Sequence, residues 1–463
     1  MVDYDLVVIG AGSAGLTAVD FAVELGGRVA LVEKYRIGGD CTWTGCVPSK
    51  ALLQVGKVIK MAETAVSFGL TPSPTKVDMK QVRTHIQQVI ADIYQHETVD
   101  VLRGKGIDVF TGAARFVDSH TIQVGEQTIT SRNFIVATGA KPFILPISGL
   151  ETVPYHTYET VFDNEQLPNH LIVLGAGAVG VELAQAYRRL GADVTLIDVQ
   201  LLPDVDADAR AVMHQVLADE EIKFVEGVVT AVHTPTPNKM DVIVNERTIS
   251  GDMLLVATGR RPNIESLDLE KAGITFSKEG IDTNEKLQTT TKHIFAAGDC
   301  TGGFQFTHYA GWQGFQAARN ALLPGSAPGM MDTVPWTIFS DPEIAQVGLA
   351  EAVARTQFEI VQVTRQSLDR VDRAVTDQSV AGFIKIVHEE NGRILGATIV
   401  APRAGEMINE FAIAMQHNLK IRDLAEAMHV YPSYGMGIQR LAAKQATDSF
   451  LESSIGKMLK RFV

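Results

Sequence analysis

The pattern of apolar and polar positions predicts the same supersecondary unit twice along the chain. Apolar strands at Leu6–Ile9 and Leu171–Leu174 each precede a glycine-rich turn, an apolar helix, a second strand and an acidic residue. The residues that mark the copies are Gly10, Gly12, Gly15 and Glu33 in the first and Gly175, Gly177, Gly180 and Asp198 in the second. In each copy the acid falls 18 residues after the third glycine. This repeated pattern predicts two doubly wound, Rossmann-like domains.

Each copy is followed later by a short apolar strand that ends in Ala-Thr-Gly, at residues 137–139 and 257–259. Prolines and glycines between these strands indicate a domain junction near residue 150. Within the first domain, apolar residues at helical spacing between residues 76 and 102 predict one long helix.

The character of the chain changes at about Val334. Short apolar runs at 383–387 and 394–400 precede helical stretches that begin near Glu406 and Ile421, without a glycine-rich fingerprint. This mixture predicts an α+β domain. The predicted fold class is therefore α/β, with two dinucleotide-binding domains and an α+β C-terminal domain. The predicted segments are residues 1–150, 151–273, 274–335, which complete the first domain, and 336–463.

Charge and cysteine content restrict the possible functions. The formal net charge is −13 at pH 7, which argues against nucleic acid because its phosphates require a basic protein face. The chain lacks both a basic leader and 18 uninterrupted apolar residues, so we expect a cytoplasmic protein without a membrane partner. Three cysteines cannot build a secreted disulfide framework. The close pair Cys41 and Cys46 therefore suggests redox chemistry or metal binding.

The glycine-rich turns predict two dinucleotide sites. A single turn of this kind is a weak signal, but both copies follow a strand, precede a helix and have an acid at the expected distance. The glycines let the backbone approach a pyrophosphate, and the acid accepts hydrogen bonds from the adenosine ribose. Glu33 is followed closely by the cysteine pair, whose sulfurs are useful beside a flavin ring. We therefore assign FAD to the first copy and a nicotinamide dinucleotide to the second.

Further residues are assigned to the two nucleotides from their place after apolar strands. For FAD these are Thr138 and Gly139, with Gly298 and Asp299, whose carboxylate is expected to bind the sugar-alcohol chain. For the nicotinamide dinucleotide, Gly259 joins the second fingerprint. Asp198 can bind a free 2′-hydroxyl but repels a 2′-phosphate, so NADH is expected over NADPH. The alternative is an aspartate that only caps the end of its strand.

The cysteine pair lies in the segment 38–50, which reads GGDCTWTGCVPSK. Four residues separate Cys41 from Cys46, and the two can be bridged if the backbone between them is distorted, which Gly45 helps to permit. Zinc is a poor alternative because no second Cys/His pair of suitable spacing exists. Two separate buried thiols are the other alternative.

This segment resembles the active-site motif of the flavoprotein disulfide reductases, which include dihydrolipoamide dehydrogenase, glutathione reductase and mercuric reductase. The resemblance covers the whole chain: both fingerprints, the stretch Ala257–Asn263, the Gly298–Asp299 motif and a C-terminal interface domain. Asp40 and Trp43 depart from the Thr and Asn that are commonest in that motif.

The resemblance implies a redox disulfide between Cys41 and Cys46 and a role for each residue near it. Cys46 would lie against the flavin as the charge-transfer thiolate, and Cys41 would be the interchange sulfur that meets substrate. Lys50 resembles the lysine near flavin N5, and Glu182 resembles the glutamate that pairs with it. A buried Lys–Glu pair stays charged only when both members are present. Cys300 matches no catalytic position and is expected to be a packed small residue.

The C-terminal segment departs from the family pattern in its acid–base residues. Dihydrolipoamide dehydrogenase and glutathione reductase carry a histidine and a glutamate there; Tyr431 and Met436 stand at those positions. Mercuric reductase also dispenses with the histidine, and its usual C-terminal cysteine pair is replaced here by Ser453 and Ser454. His429 could substitute as the base, but we expect it to fill the first, structural histidine place of the family.

The resemblance favours a mercuric-reductase-like enzyme. It would be a homodimer with active sites shared between subunits, passing electrons from NAD(P)H through FAD to Cys41–Cys46 and then to Hg²⁺ or a similar thiophilic acceptor. Cys41, Cys46 and Tyr431 would contact the metal substrate transiently. Two other hypotheses remain: a dihydrolipoamide dehydrogenase with an atypical base, and a non-catalytic FAD-bearing scaffold or redox sensor, which the retained cysteines, Lys50 and Glu182 disfavour.

Overall fold

A computed structural model describes residues 2–71, 76–237 and 239–459 of the protein. The chain divides into two compact units, each made of several segments. The first contains Met1–Gly175, Arg189–Asp193 and Val228–Met331, and the second contains Ala176–Arg188, Val194–Gly227 and Asp332–Val463. Among the described residues, no helix has the length and apolar character needed to cross a membrane.

The main sheet of the first unit has seven strands around a parallel centre. Its central strand, Tyr4–Ile9, pairs in parallel with Val29–Glu33 on one side and with Gln127–Val136 on the other. The remaining strands are Ile107–Thr111, Ala114–Asp118, Thr121–Val124 and Ile294–Ala296. The helix Ser13–Glu24 connects the first two strands, as a parallel crossover requires. This confirms the predicted doubly wound arrangement.

Alternation along the central strand explains why its residues are almost all apolar. Leu6 and Val8 belong to one buried cluster, whereas Val7 and Ile9 belong to another. Successive side chains of a strand point to opposite faces, so a strand covered on both faces needs apolar residues at every position. The continuous apolar run before the first glycine turn is therefore a consequence of burial on two sides.

The helices of the first unit include one departure from the sequence-based prediction. The predicted long helix between residues 76 and 102 is wrong: the structure has two helices, Met79–Tyr94 and Val99–Gly104. Thr98 begins the second helix because its hydroxyl accepts a hydrogen bond from Val101 N at 3.3 Å. The other helices are Gly39–Trp43, Cys46–Thr64 and Thr307–Leu322.

Smaller sheets complete the first unit. The strands His170–Leu174 and Met253–Val256 pair in parallel. An antiparallel sheet contains Val229–Thr236, Lys239–Val244 and Arg247–Gly251. Two short antiparallel pairs join Ala140–Pro142 to Arg260–Pro262 and Phe276–Ser277 to Gly280–Ile281.

The second unit is built on a five-stranded antiparallel sheet covered by helices, and so has the predicted α+β character. In order across the sheet, its strands are Trp336–Ile338, Glu343–Gly348, Ile394–Ala401, Phe383–His388 and Gln362–Ser367. Its C-terminal helices are Glu351–Gln357, Asp372–Thr376, Ala404–Gln416, Ile421–Glu426, Met436–Glu452 and Ser454–Leu459. Phe411, Ile438 and Leu441 from these helices pack in one core with strand residues such as Ile384 and Ile399.

The second unit also contains most of the helix and strand that follow the second glycine turn. The helix spans Ala178–Leu190, and the strand Asp193–Asp198 pairs in parallel with Lys223–Glu226. The helix Ala207–Asp219 lies between these two strands in the chain. This succession agrees with the predicted doubly wound pattern, whereas the predicted domain boundaries stay a prediction.

Candidate active site

The two cysteines lie on consecutive helices, and the glycine between the helices allows them to approach closely. Cys41 is in the helix Gly39–Trp43, and Cys46 is the first residue of the helix Cys46–Thr64. A Cβ atom on Gly45 would lie 2.9 Å from the carbonyl oxygen of Asp40 and 3.3 Å from Cys41 Cα. Because such contacts are too short for any larger residue, Gly45 is required for the turn that brings the thiols together.

The side chains of Cys41 and Cys46 interact with each other. A hydrogen bond to Cys46 raises the pKa of the Cys41 thiol, and partial burial raises it further. Cys46 Sγ lies 3.4 Å from Thr307 Oγ1. The assignment of Cys46 as the thiolate stays a prediction.

Cys300 is packed away from this chemistry, as expected. Its side chain is fully buried, and its sulfur contacts the carbonyl oxygens of Val136 at 3.2 Å and Ala297 at 3.3 Å. Burial raises the pKa of its thiol to about 12. In the described parts of the chain, no group of three or more His, Cys, Asp or Glu residues is placed to hold a metal ion.

The first glycine-rich turn forms a tight backbone cradle. Gly10 has φ +107°, and a Cβ there would lie 2.3 Å from the carbonyl oxygen of Ala137. A Cβ on Gly15 would lie 1.9 Å from the carbonyl oxygen of Gly10. Gly12 faces Gly39, where an added Cβ would lie 2.8 Å from Gly12 Cα. The turn, the helix that follows and the cysteine segment therefore meet through backbone atoms.

Glu33, at the end of its strand, holds this turn in place by accepting hydrogen bonds from the backbone. Its carboxylate accepts hydrogen bonds from Ala11 N at 2.8 Å and from Tyr35 N at 2.7 Å. The acid predicted to bind a ribose thus also holds the turn between the first two glycines. A carboxylate has about four lone-pair sites, so these two bonds leave capacity for ribose hydroxyls.

The residues assigned to FAD leave acceptor and donor groups open for a ligand. The Thr138 hydroxyl oxygen is buried, and no group in the described residues hydrogen-bonds to it. A Cβ on Gly139 would have no neighbour within 4 Å. Gly298 N donates to Gln313 Oε1 at 2.9 Å, which fixes the turn that presents Asp299. A glycine cradle beside an unsatisfied hydroxyl fits a polyhydroxy, diphosphate-bearing cofactor such as FAD.

An ion-pair network links Asp299 to the cysteine segment, and sequence reasoning missed it. Arg260 lies 2.7 Å from Asp299 Oδ2 and 3.1 Å from Asp40 Oδ2. Tyr158 donates a hydrogen bond to the same Asp40 oxygen at 3.2 Å. Burial raises the pKa of Asp299, and Arg260 opposes that shift. Asp40 was noticed only as a departure from a motif; nothing in the sequence connects it to Arg260 or Tyr158.

The second glycine-rich turn repeats the geometry of the first. Gly175 has φ +106°, and a Cβ there would lie 2.3 Å from the carbonyl oxygen of Ala257. Asp198 accepts hydrogen bonds from Ala176 N and Val199 N, both at 2.7 Å. Asp198 therefore caps its strand end, as the alternative hypothesis held, and a carboxylate in this geometry can still bind a ribose.

The other three glycines assigned to the nicotinamide dinucleotide differ in their surroundings. Added Cβ atoms on Gly177 and Gly259 would have no neighbours within 4 Å, whereas Gly180 is buried. Open backbone at Gly177, where the helix begins, suits a pyrophosphate.

Lys50 and Glu182 lie in different compact units, and their predicted pairing stays a prediction. Lys50 follows Cys46 by four residues on the same helix, which places the two on one helical face. Glu182 is only 5% exposed and accepts a hydrogen bond from Phe339 N at 2.8 Å.

Tyr431 and Met436 occupy the segment just before and at the start of the helix Met436–Glu452. Tyr431 is 60% exposed, and the Arg440 guanidinium lies 5.9 Å from its ring centre. His429, in contrast, has both ring nitrogens engaged: one lies 3.0 Å from Glu410 Oε1 and the other 3.0 Å from the carbonyl oxygen of Ala427. This geometry favours the expected structural place for His429 over a role as the base.

Comparison with protein families gives two matches that cover most of the chain. The model described as pyridine nucleotide-disulphide oxidoreductase matches residues 4–314. The model described as pyridine nucleotide-disulphide oxidoreductase, dimerisation domain, matches residues 334–442.

Curated relatives fall under two names. A mercuric reductase of Staphylococcus aureus is 36% identical over 451 residues, which cover 95% of this chain and 82% of that protein. A dihydrolipoyl dehydrogenase of Thermus scotoductus is 33% identical over 459 residues, which cover 96% of this chain and 97% of that protein. Because the identities are similar, they do not distinguish between the two activities.

Two solved structures share the architecture of this chain. The HOCl-induced flavoprotein disulfide reductase RclA from Escherichia coli, in a Cu(II) complex, has a TM-score of 0.86 at 27% identity, covering 95% of this chain and 99% of that one. LpdA from Mycobacterium tuberculosis has a TM-score of 0.87 at 29% identity, with the same coverage of 95% and 99%.

Proposed function

The chain belongs to the pyridine nucleotide-disulphide oxidoreductase family, and from that premise we propose that it reduces Hg²⁺ or a similar thiophilic acceptor. Electrons would pass from NADH through FAD to the Cys41–Cys46 pair and its acceptor. The single observation that carries the choice of acceptor is the pair of residues Tyr431 and Met436, which stand where a histidine and glutamate would serve a disulfide substrate.

The family uses FAD and a pyridine nucleotide, and the residues of this chain fit both. FAD, when bound, accepts a hydride from the nicotinamide and supplies the electron pair that reduces the disulfide or the acceptor. Reduction of the Cys41–Cys46 disulfide takes up two electrons, breaks the sulfur–sulfur bond and leaves two thiolates, either of which can then take up a proton. Thr307 would stabilise Cys46 as a thiolate through their 3.4 Å contact, and Lys50 would stabilise negative charge at the ring.

Proton transfer separates the two candidate acceptors. Reducing a disulfide substrate requires protonation of a departing thiolate, and oxidising a dithiol requires removal of its protons. A histidine near neutrality does both, whereas a tyrosine with a reference pKa of about 10 does neither well at pH 7. A soft metal ion needs no such transfer, because Cys41 and Cys46 can ligate it as thiolates while Hg²⁺ takes up two electrons.

The NADH preference rests on Asp198. Its carboxylate would bind the ribose 2′-hydroxyl and repel a 2′-phosphate. The bonds from Ala176 N and Val199 N hold that carboxylate at the end of its strand, which supports a fixed orientation.

The dimerisation domain at residues 334–442 supports a homodimer. We propose that Tyr431 of one subunit completes the cysteine site of the other. The exposure of Tyr431 on its own chain is compatible with this, since 60% of its surface is open.

The second candidate is a dihydrolipoamide dehydrogenase with an atypical base. The relative from Thermus scotoductus favours it, because the match covers 97% of that protein. This candidate requires a group other than Tyr431 to move protons at neutral pH.

The test is an acceptor screen with purified FAD-loaded protein, following NADH oxidation with Hg²⁺–thiol complexes, lipoamide and oxidised glutathione. We expect turnover with Hg²⁺ and poor turnover with both disulfides. General acid–base assistance is worth about 10²–10⁴-fold, so the double variant Tyr431→His with Met436→Glu should gain lipoamide activity. Robust lipoamide activity in the wild type without Hg²⁺-dependent NADH oxidation would refute the proposal and promote the second candidate. No turnover with any acceptor would favour the non-catalytic hypothesis.

A further inference from the structure

A buried lysine joins the five-stranded sheet of the second unit to the helix Ala207–Asp219. Three carboxylate oxygens surround the Lys385 ammonium: Glu351 Oε2 at 2.7 Å, Asp208 Oδ2 at 2.9 Å and Asp206 Oδ1 at 3.1 Å. The side chains of Lys385 and Asp206 are both only 3% exposed. Burial lowers the pKa of Lys385, but the hydrogen bonds to the three carboxylates outweigh burial and raise it overall. The ammonium is therefore charged, and water does not replace it as the partner of Asp206.

Asp206 is shared between this lysine and the backbone. The same Oδ1 accepts a hydrogen bond from Asp208 N at 3.0 Å, which caps the helix Ala207–Asp219. Residues 199–205 form a loop that begins directly after Asp198 and ends at Asp206. Lys385 therefore fixes one end of this loop, while its other end is the strand that carries Asp198.

Arg210 fixes the middle of the 199–205 loop from the first turns of the same helix. Its guanidinium donates hydrogen bonds to three carbonyl oxygens of the loop: Leu202 at 3.2 Å, Pro203 at 3.1 Å and Val205 at 3.0 Å. Leu202 has φ +46°, a left-handed conformation that is costly for a residue with a side chain. The loop is thus held in a conformation that its own backbone does not favour.

The loop rests on the second glycine-rich turn. Leu202 N donates a hydrogen bond to the carbonyl oxygen of Ala176 at 2.9 Å, and the Leu202 side chain is buried. Ala176 N and Val199 N, on the two sides of this contact, both donate to the Asp198 carboxylate at 2.7 Å. Direct contacts therefore run from Lys385, through the loop and the turn, to the acid assigned to the ribose.

We propose that Lys385 and Arg210 are positioning residues for the pyridine nucleotide: they hold the 199–205 loop on the second glycine-rich turn and so keep Asp198 oriented toward the adenosine ribose. This inference rests on the nucleotide half of the proposed function and is independent of the acceptor. Lys385 lies within residues 334–442, which match the dimerisation domain. A residue of that domain thereby contributes to nucleotide affinity through the loop, without contacting the nucleotide.

The first measurement is calorimetric binding of ADP-ribose to the FAD-loaded protein. ADP-ribose carries the adenosine ribose and the pyrophosphate but no nicotinamide, and bound FAD excludes it from the first turn. We expect Lys385→Met to weaken ADP-ribose binding roughly five- to tenfold, the loss for a loop that stays docked about a tenth to a fifth of the time. Arg210→Met should weaken binding at least as much, because three carbonyl oxygens lose their donor.

A second Lys385 variant guards against failure to fold. Lys385→Met leaves Asp206 as a buried carboxylate without its cation, which is strongly destabilising. The double variant Lys385→Met with Asp206→Asn removes the ion pair without leaving that charge, and asparagine can still cap the helix. Its affinity for ADP-ribose should be lowered by the same factor as in Lys385→Met.

The second measurement is stopped-flow reduction of FAD at increasing NADH concentrations. In the Lys385 and Arg210 variants the half-saturating NADH concentration should rise by the factor seen with ADP-ribose, while the limiting rate stays unchanged. Ile386→Ala is the matched control, because Ile386 is the next residue of the same strand, is fully buried and points to the opposite face. It should lower the midpoint of thermal unfolding comparably and leave ADP-ribose affinity within about twofold of the wild type.

The outcomes separate this proposal from the proposed function. If Asp198→Ala weakens ADP-ribose binding but a folded Lys385 or Arg210 variant does not, the positioning role of that residue is overturned. Equal weakening in Ile386→Ala would overturn it as well, because a general loss of stability would then explain the effect. If the wild type does not bind ADP-ribose, or if Asp198→Ala binds it normally, the assignment of the nucleotide to the second turn fails instead.

Discussion

The two glycine-rich turns are built alike, but the segments that follow them differ. In both, the first glycine has a φ near +107° and would place a Cβ 2.3 Å from a carbonyl oxygen of the Ala-Thr-Gly strand end. In both, the acid at the end of the second strand accepts a hydrogen bond from the residue after that glycine, at 2.8 Å for Glu33 and 2.7 Å for Asp198. The same backbone geometry therefore occurs at both glycine-rich turns.

The difference lies in the connection that follows each acid. In the first copy the carbonyl oxygen of Ala11 accepts from Gly38 N at 2.8 Å, and the chain continues into Cys41 and Cys46. In the second copy the carbonyl oxygen of Ala176 accepts from Leu202 N at 2.9 Å, and the chain continues without a cysteine. The comparison teaches that the same turn can dock different segments: the first carries the cysteine pair on two helices, and the second carries no cysteine.

Removing the sulfurs should have the largest effect and should leave the second turn unaffected. We expect Cys46→Ser and Cys41→Ser each to lower the rate of acceptor reduction by roughly 10³-fold or more, because the one cysteine that remains cannot act as a dithiol. Stopped-flow reduction of FAD by NADH should remain in both variants. Loss of FAD reduction by NADH in either variant would contradict the assignment of nicotinamide binding to the second turn and of the cysteines to a later step.

The same variants assign the sulfurs. Two-electron reduction of the wild type should produce a long-wavelength absorption band from the Cys46 thiolate beside oxidised FAD. Cys41→Ser should keep the band and Cys46→Ser should lose it. The opposite result would reverse the roles of the two cysteines.

Adding one methyl group to the first glycine of each turn should separate the two ligands. We expect Gly10→Ala to bind FAD on the order of 10²-fold more weakly and to be purified depleted of FAD. Gly175→Ala should keep FAD but bind NADH on the order of 10²-fold more weakly, which raises the KM for NADH. In both variants the backbone strain at positive φ and the overlap of the added Cβ act together. FAD absorbance and steady-state kinetics measure the two effects. Gly125→Ala is the control, because Gly125 has φ +60° with nothing within 4 Å of an added Cβ. An equal loss of FAD in both turn variants would show that the sites are not assigned correctly.

The acid of the second turn should set the nucleotide preference. We expect the wild type to favour NADH over NADPH in kcat/KM by roughly 10- to 150-fold, the scale of a charge-assisted hydrogen bond. Asp198→Asn should reduce that ratio, whereas Glu33→Gln in the first turn should not change it. A wild-type preference for NADPH would leave Asp198 only its role at the strand end.

The smallest expected effect concerns the network of Arg260, Asp299, Asp40 and Tyr158 beside the cysteine segment. Tyr158→Phe removes one hydrogen bond to Asp40 and keeps the ion pair between Asp40 and Arg260. We expect a loss of about 1 kcal/mol in the free energy of unfolding, measured by urea denaturation of the FAD-loaded protein. Tyr155→Phe is a nearby control in the same segment. An unchanged stability would mean that Tyr158 contributes no net stabilisation to the cysteine segment.

Local patterns in the sequence determined the repeated scaffold. A strand buried on both faces must be apolar throughout, and a turn whose Cβ would strike a carbonyl oxygen must carry glycine, so both features are readable without a structure. The C-terminal α+β character was readable for the same reason, from the strands Phe383–His388 and Ile394–Ala401 and the helices after them. The match to the cysteine motif identified Cys41 and Cys46.

Tertiary structure decided the contacts between residues that are far apart in the chain. Arg260 meets Asp40 across 220 positions, and Arg440 meets Asp372 across 68, so neither pair leaves a local signal. The break between Met79–Tyr94 and Val99–Gly104 falls at the polar residues 95–98, where the Thr98 cap starts a new helix. Periodicity reports which face of an element is buried, but ion pairs and caps depend on which elements the fold brings together.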